Sequence, residues 1–156
     1  MFDEALRAEA VGRLETERAL RHALERAQLS VDYQPVVEMA TGRVLGAEAL
    51  LRWQHPSAGL IAPDEFIKIA EETGLIVPIG RLVLDQACAT LARWKDIAPA
   101  MFMAVNVSAE QLLRSDLTDS VREMCDRYRL KPSDLNLEVT ERQLVDLVGS
   151  GVHRDY

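Results

Sequence analysis

The chain has 156 residues and a formal charge of −7, and it is 48% hydrophobic and 28% charged. That length suits one compact domain with a real core, and the composition is ordinary for a globular protein. The negative balance argues against a nucleic-acid polymer as partner, because binding one needs basic surface, but it leaves room for a local basic pocket for one small phosphorylated ligand. No apolar run approaches the roughly 18 residues of a membrane span. The N-terminal stretch is charged throughout and lacks the apolar centre of a secretory signal. Cys88 and Cys125 stand in no CxxC or Cys/His spacing and read as reduced, buried, structural thiols. A soluble, cytoplasmic protein is expected.

Residues 1–28 form a predicted helix with six acidic and five basic side chains. At the 3.6-residue period Phe2, Leu6, Leu20 and Leu24 share one side, with Leu14 near its edge and Val11 opposite. The stripe is imperfect, so a solvated lead-in helix is favoured over a dimerising coiled coil. "SVDYQPVVEMATGRVLGAEALLRW" then reads as two strands around a turn at Gly42. Pro56 and Gly59 mark a loop. "APDEFIKIAEETG" is a short helix, with Asp64 placed to cap it and Gly74 to end it. "IGRLVLDQACATLARWKD" is a longer amphipathic helix and "AMFMAVNVS" an apolar strand. "AEQLLRSDLTDSVREMCDRYRL" is helical with a break near Ser115 and Asp116; "SDLNLEVTE" is a further strand, and "RQLVDL" opens a last helix. After the lead-in the order is β-β-α-α-β-α-β-α, which indicates an α/β protein with a parallel sheet.

The polar residues collect at strand ends. Alternation puts Gly46, Glu48, Leu50 and Arg52 on one face of the second strand and Ala47, Ala49, Leu51 and Trp53 on the other. The third strand finishes at Asn106 and the fourth carries Glu138 near its end. Three consecutive parallel strands thus each deliver an oxygen donor at their carboxyl ends, the edge where α/β folds bind ligands. Two carboxylates and an amide oxygen suit Mg²⁺ or Mn²⁺ rather than zinc, and Arg52 beside them is suited to clamp a phosphate. Metal-assisted phosphate-ester chemistry follows from that set. A Glu48–Arg52 ion pair explains the same two charges equally well. Ser108 reads as the cap of "SAEQ", boxed with Gln111, and Glu141 in "TERQ" has similar capping spacing. His22, His55 and His153 form no ligand spacing.

"YQPVVEMATGRVLGAEALLRWQHPSAGLIAPDEFIKIAEETGLI", "AVNVS" and "LEVTE" resemble, in order and spacing, the EAL domain family, which hydrolyses cyclic di-GMP to the linear dinucleotide pGpG. The resemblance implies a TIM-like (β/α) barrel and two divalent ions, Mg²⁺ or Mn²⁺, with Ca²⁺ inhibitory. It assigns Glu48, Asn106 and Glu138 as metal ligands. Gln34, Arg52 and the backbone around Leu50 match substrate-contacting positions, and Glu141 matches a glutamate that steadies a loop. The lead-in looks like the helix that joins an upstream GGDEF domain to an EAL domain, although the sequence has no GGDEF motif.

Residues 29–147 match the N-terminal half of the family pattern, about four strands, while 148–156 do not continue it. A full barrel takes about 250 residues. The family's paired aspartates, lysine, general-base glutamate and late glutamine are absent from this sequence. The expectation is therefore a truncated phosphodiesterase, catalytically incomplete alone. Its open barrel edge would favour a homodimer or a complementary half-domain as partner. A non-catalytic module that binds cyclic di-GMP or a protein, and a remnant without activity, remain alternatives.

Overall fold

The computed structural model describes residues 2–113, 116–140 and 145, and omits the side chains of residues 2–6, 8 and 9. In chain order these form α1 (Phe2–Glu25), β1 (Leu29–Val37), β2 (Val44–His55), β3 (Gly59–Ile61), α2 (Pro63–Thr73), α3 (Ile76–Lys95), β4 (Phe102–Asn106), α4 (Ala109–Leu112), α5 (Asp116–Tyr128), a 3₁₀ turn (Pro132–Asp134) and β5 (Leu135–Glu138). The sheet order is β1-β2-β4-β5, with β3 paired to β2. This is the α/β arrangement of a partial (β/α) barrel. β2, β4 and β5 run parallel, as the alternation of apolar strands and amphipathic helices implies.

Contacts divide the described residues into two units. The first joins the chain up to Ser30 with Leu51–Ile79. In it the C-terminal half of α1 buries Leu20 and Ala23, while Val11 and Leu14 stay exposed, as the helical period requires. Arg13 pairs with Glu72 of α2. Trp53, 1% exposed, packs edge-on against Phe66 with ring centroids 5.2 Å apart. Its Nε1 is buried without a hydrogen-bond partner among the described residues.

The first unit corrects two sequence expectations. The loop around Pro56 and Gly59 contains β3, which returns antiparallel along β2 with Trp53 opposite Ile61. The His55 Nδ1 accepts the Ser57 and Ala58 amides at 3.3 and 3.2 Å, and Gly59 takes φ +74°, so the turn closes tightly enough for three residues to pair. The cap of α2 is Ala62, not Asp64: Pro63 starts the helix early, Glu65 reaches back to the Ala62 amide at 3.4 Å, and Asp64 lies inside the first turn. Gly74 does end this helix, at φ +75°.

The second unit comprises Val31–Leu50 and the chain from Gly80 onward. Gly42 turns the β1–β2 hairpin at φ +70°. Ala47 and Ala49 of β2, Met103 and Val105 of β4 and Leu135 of β5 are buried. Val83, Leu84, Ala87, Cys88 and Leu91 of α3 and Met124 and Cys125 of α5 complete this core. α3 and α5 are tied by Arg127 to Asp85 at 3.0 Å and by Tyr128 Oη to Asp85 at 2.7 Å. The predicted helix after β4 is two helices, α4 and α5. The helix expected from Arg142 lies outside the described residues apart from Val145.

Replacing Trp53 by Ala is expected to cost about 3–5 kcal/mol in urea unfolding. Trp53→Phe costs less, because it also removes the unpartnered N–H. Burial, with the neighbouring Cys125 and Asp85, pushes the Cys88 thiol up to about 12. Between about pH 9 and 12 the unfolded chain therefore releases a proton that the folded chain keeps, so stability falls as pH rises through that window. Unfolding free energies measured across it are expected to decline less steeply for Cys88→Ala.

Candidate functional site

The parallel ladder sets the site. β2 pairs with β4 with Gly46 opposite Phe102, Glu48 opposite Ala104 and Ala49 opposite Val105. β4 pairs with β5 with Ala104 opposite Asn136 and Asn106 opposite Glu138. Opposed residues in a parallel ladder present side chains to the same face, so Glu48, Asn106 and Glu138 share one face of three adjacent strands. Gly46 makes the close pairing possible: a Cβ there would meet the Phe102 carbonyl oxygen at 2.5 Å and its ring at 2.8 Å.

At the carboxyl end of that face the Asn106 Nδ2 donates to Glu48 Oε1 at 2.7 Å. That bond uses one carboxylate oxygen and the amide nitrogen; the Asn106 Oδ1 and the second Glu48 oxygen take no part in it. Glu48 is half-buried and Asn106 and Glu138 are exposed. Beyond β4, the Val107 amide donates to the Glu138 carbonyl at 2.8 Å, joining the ends of β4 and β5. Ser108 then caps α4 as its sequence suggests, its Oγ accepting the Gln111 amide at 3.2 Å while the Ser108 amide donates to Gln111 Oε1 at 3.0 Å.

Of the positions expected to contact substrate, Gln34 is exposed on β1 and Leu50 half-buried on β2, two residues past Glu48. Arg52 belongs to the first unit, where its Nη1 donates to the Leu51 carbonyl at 3.0 Å. Glu141 lies outside the described residues. Among the described residues no group of three or more His, Cys, Asp or Glu side chains converges. Glu48, Asn106 and Glu138 present two carboxylates and an amide, hard oxygen groups of the kind that Mg²⁺ or Mn²⁺ prefers.

Lys95, which sequence reasoning passed over, holds the opposite end of the same strands. From the end of α3 its Nζ donates to Asp134 Oδ1 at 2.6 Å, just before β5, and to the Met101 carbonyl at 3.4 Å, just before β4. Burial raises the Asp134 carboxyl, but the Lys95 and Lys131 hydrogen bonds outweigh it and hold the group below its usual range. Lysine near a helix C-terminus is a common favourable placement; only the fold shows that this one reaches two strands.

The family model of the EAL domain matches residues 17–149. The chain belongs to the EAL domain family. The bifunctional diguanylate cyclase/cyclic di-GMP phosphodiesterase MucR of Pseudomonas aeruginosa is 49% identical over 141 residues, 90% of this chain and 21% of MucR. The signaling protein YkoW of Bacillus subtilis is 38% identical over 134 residues, 86% of this chain and 17% of YkoW. The chain thus spans about a fifth of the length of these curated relatives. Among solved structures, PaMucR phosphodiesterase in its c-di-GMP complex superposes with a TM-score of 0.78 at 46% identity, over 88% of this chain and 60% of that one. The EAL enzyme Bd1971, in its cGMP-bound form, gives 0.83 at 29% identity, over 89% and 40%. These neighbours are EAL barrels, which agrees with the partial barrel seen here. Among the described residues no helix is long and apolar enough to cross a membrane.

Lys95→Met is expected to cost about 1–3 kcal/mol at neutral pH in chemical unfolding. A depressed carboxyl stabilises the fold above its ordinary range, near pH ~4, and loses that contribution as pH falls through the lower folded value. The gap between wild type and variant should therefore narrow in acid.

Proposed function

We propose that this chain carries part of a divalent-metal-dependent site for cyclic di-GMP of the EAL phosphodiesterase type, which opens the cyclic dinucleotide to linear pGpG when complete. One observation carries the reading: the register that brings Glu48, Asn106 and Glu138 to one face, with Asn106 bonded to Glu48. In this reading those three residues hold Mg²⁺ or Mn²⁺. When bound, the cation supplies a Lewis acid for a phosphoryl oxygen and lowers the pKa of a bound water. The chain's own residues orient and bind. Asn106 fixes the carboxylate plane of Glu48, and the Val107 amide fixes the end of β5 that presents Glu138. Arg52, with its bidentate fork, and Gln34 contact the dinucleotide, with the backbone at Leu50 alongside. Glu141 keeps the loop-orienting role that the family resemblance gives it.

The relatives support the ligand: MucR is described as a cyclic di-GMP phosphodiesterase, and PaMucR was solved with c-di-GMP. A cytoplasmic location belongs to the proposal, because the nucleotide is an intracellular messenger. So does a homodimer or complementary half-domain along the β5 edge, with residues 29–147 as the EAL portion behind a lead-in helix of residues 1–28 and a tail of residues 148–156.

One observation favours binding over turnover for these 156 residues taken alone. The sequence has no adjacent pair of aspartates to bridge two cations, and two-metal hydrolysis needs both ions within about 4 Å. Ca²⁺ is proposed to support binding and block turnover. In calorimetric titration the chain should take up Mn²⁺, and Glu48→Gln or Glu138→Gln should weaken uptake at least about tenfold. Affinity unchanged in both variants would remove the rim as the site, and rapid formation of pGpG by the chain alone would refute the binding-only part.

A further inference from the structure

We infer that Gly80 and Gln111 are positioning residues for the oxygen rim: Gln111, seated against the bare backbone of Gly80, sets the turn that carries Asn106 and anchors Glu138. The inference rests on the reading of that rim as a divalent-cation site.

Gln111 is 7% exposed, one of three buried polar residues in the described part of the chain. It lies in α4, a helix of four residues, too short to stand by its own hydrogen bonds. Something outside must hold it, and the close neighbour is α3. A Cβ built on Gly80 would collide with Gln111 Nε2 and stand 2.9 Å from its Cδ. Gly42, Gly59 and Gly74 are explained by positive φ. Gly80 has no such conformation and sits inside a 20-residue helix, where glycine is unfavourable. Space for Gln111 is the reason it is tolerated.

From there the linkage is short. Gln111 Oε1 holds the Ser108 amide at 3.0 Å. The preceding residue, Val107, gives its amide to the Glu138 carbonyl at 2.8 Å, and the one before, Asn106, gives its side-chain amide to Glu48 at 2.7 Å. Gln111 acts through this backbone. It fixes the stretch that aligns two of the three donors and, through Asn106, the third.

The test uses the 156-residue chain with Mn²⁺ alone as probe, read by calorimetry, and amide exchange at Val107 without metal. Gly80→Ala and Gln111→Met should each weaken Mn²⁺ binding about tenfold and speed Val107 exchange. Gln111→Glu, which keeps an acceptor for the Ser108 amide, should stay within about threefold of wild type. Alanine is the better helix former, so a purely local effect of Gly80→Ala would raise the melting temperature and leave both readouts alone. That result overturns the inference, as does equal behaviour of Gln111→Met and Gln111→Glu, which would mean packing only. A wild-type chain that takes up no Mn²⁺ sinks the cation reading instead, and the exchange rates still decide whether Gly80 and Gln111 hold the turn.

Discussion

The register of the β2–β4–β5 ladder is the constraint on which the rest depends. A strand's side chains alternate, so sliding any of the three by one residue would turn its oxygen donor to the opposite face. Such a slip is costly because the opposite face is the core: Ala47, Ala49, Met103, Val105 and Leu135 are all buried. Gly46 reinforces the choice, since only its missing Cβ lets Phe102 lie as close as it does. Hydrophobic burial on one face therefore fixes where polar chemistry appears on the other.

The two ends of these strands divide the labour. At the amino ends, Lys95 joins the starts of β4 and β5 through Met101 and Asp134. At the carboxyl ends, Val107 joins the same two strands through Glu138, and Asn106 joins β4 to β2 through Glu48. The lower pair is partly buried and holds structure. The upper groups are more open to solvent, Asn106 and Glu138 being exposed. That polarity is the one (β/α) barrels show, with stability at the amino face and chemistry at the carboxyl face.

Much of this was legible in residue order. That Glu48, Asn106 and Glu138 share one face was legible from parity and strand ends, because period-2 alternation is a local property that survives into the sheet. The Gly42 turn, the Gly74 helix end and the Ser108–Gln111 box were legible for the same reason: each is made by residues within four positions of one another. The family, too, was readable from linked motifs. The misreadings came where local signals compete. Asp64 is a good cap residue, but Pro63 favours the first helical position and moved the cap to Ala62. The stretch after His55 looked like a loop, yet a tight turn around its imidazole left three residues able to pair.

By itself, then, the sequence determined most of the element types, the family and the shared parity of Glu48, Asn106 and Glu138, since these follow from periodicity and short-range chemistry. Only the tertiary structure decided which distant groups meet. Lys95 and Asp134 lie thirty-nine positions apart, and Asn106 lies fifty-eight from Glu48. Gly80 faces Gln111 from another helix. Nothing local marks such pairs, because their contact is set by strand register and helix packing, which are fixed by the whole buried core and not by any window of the chain.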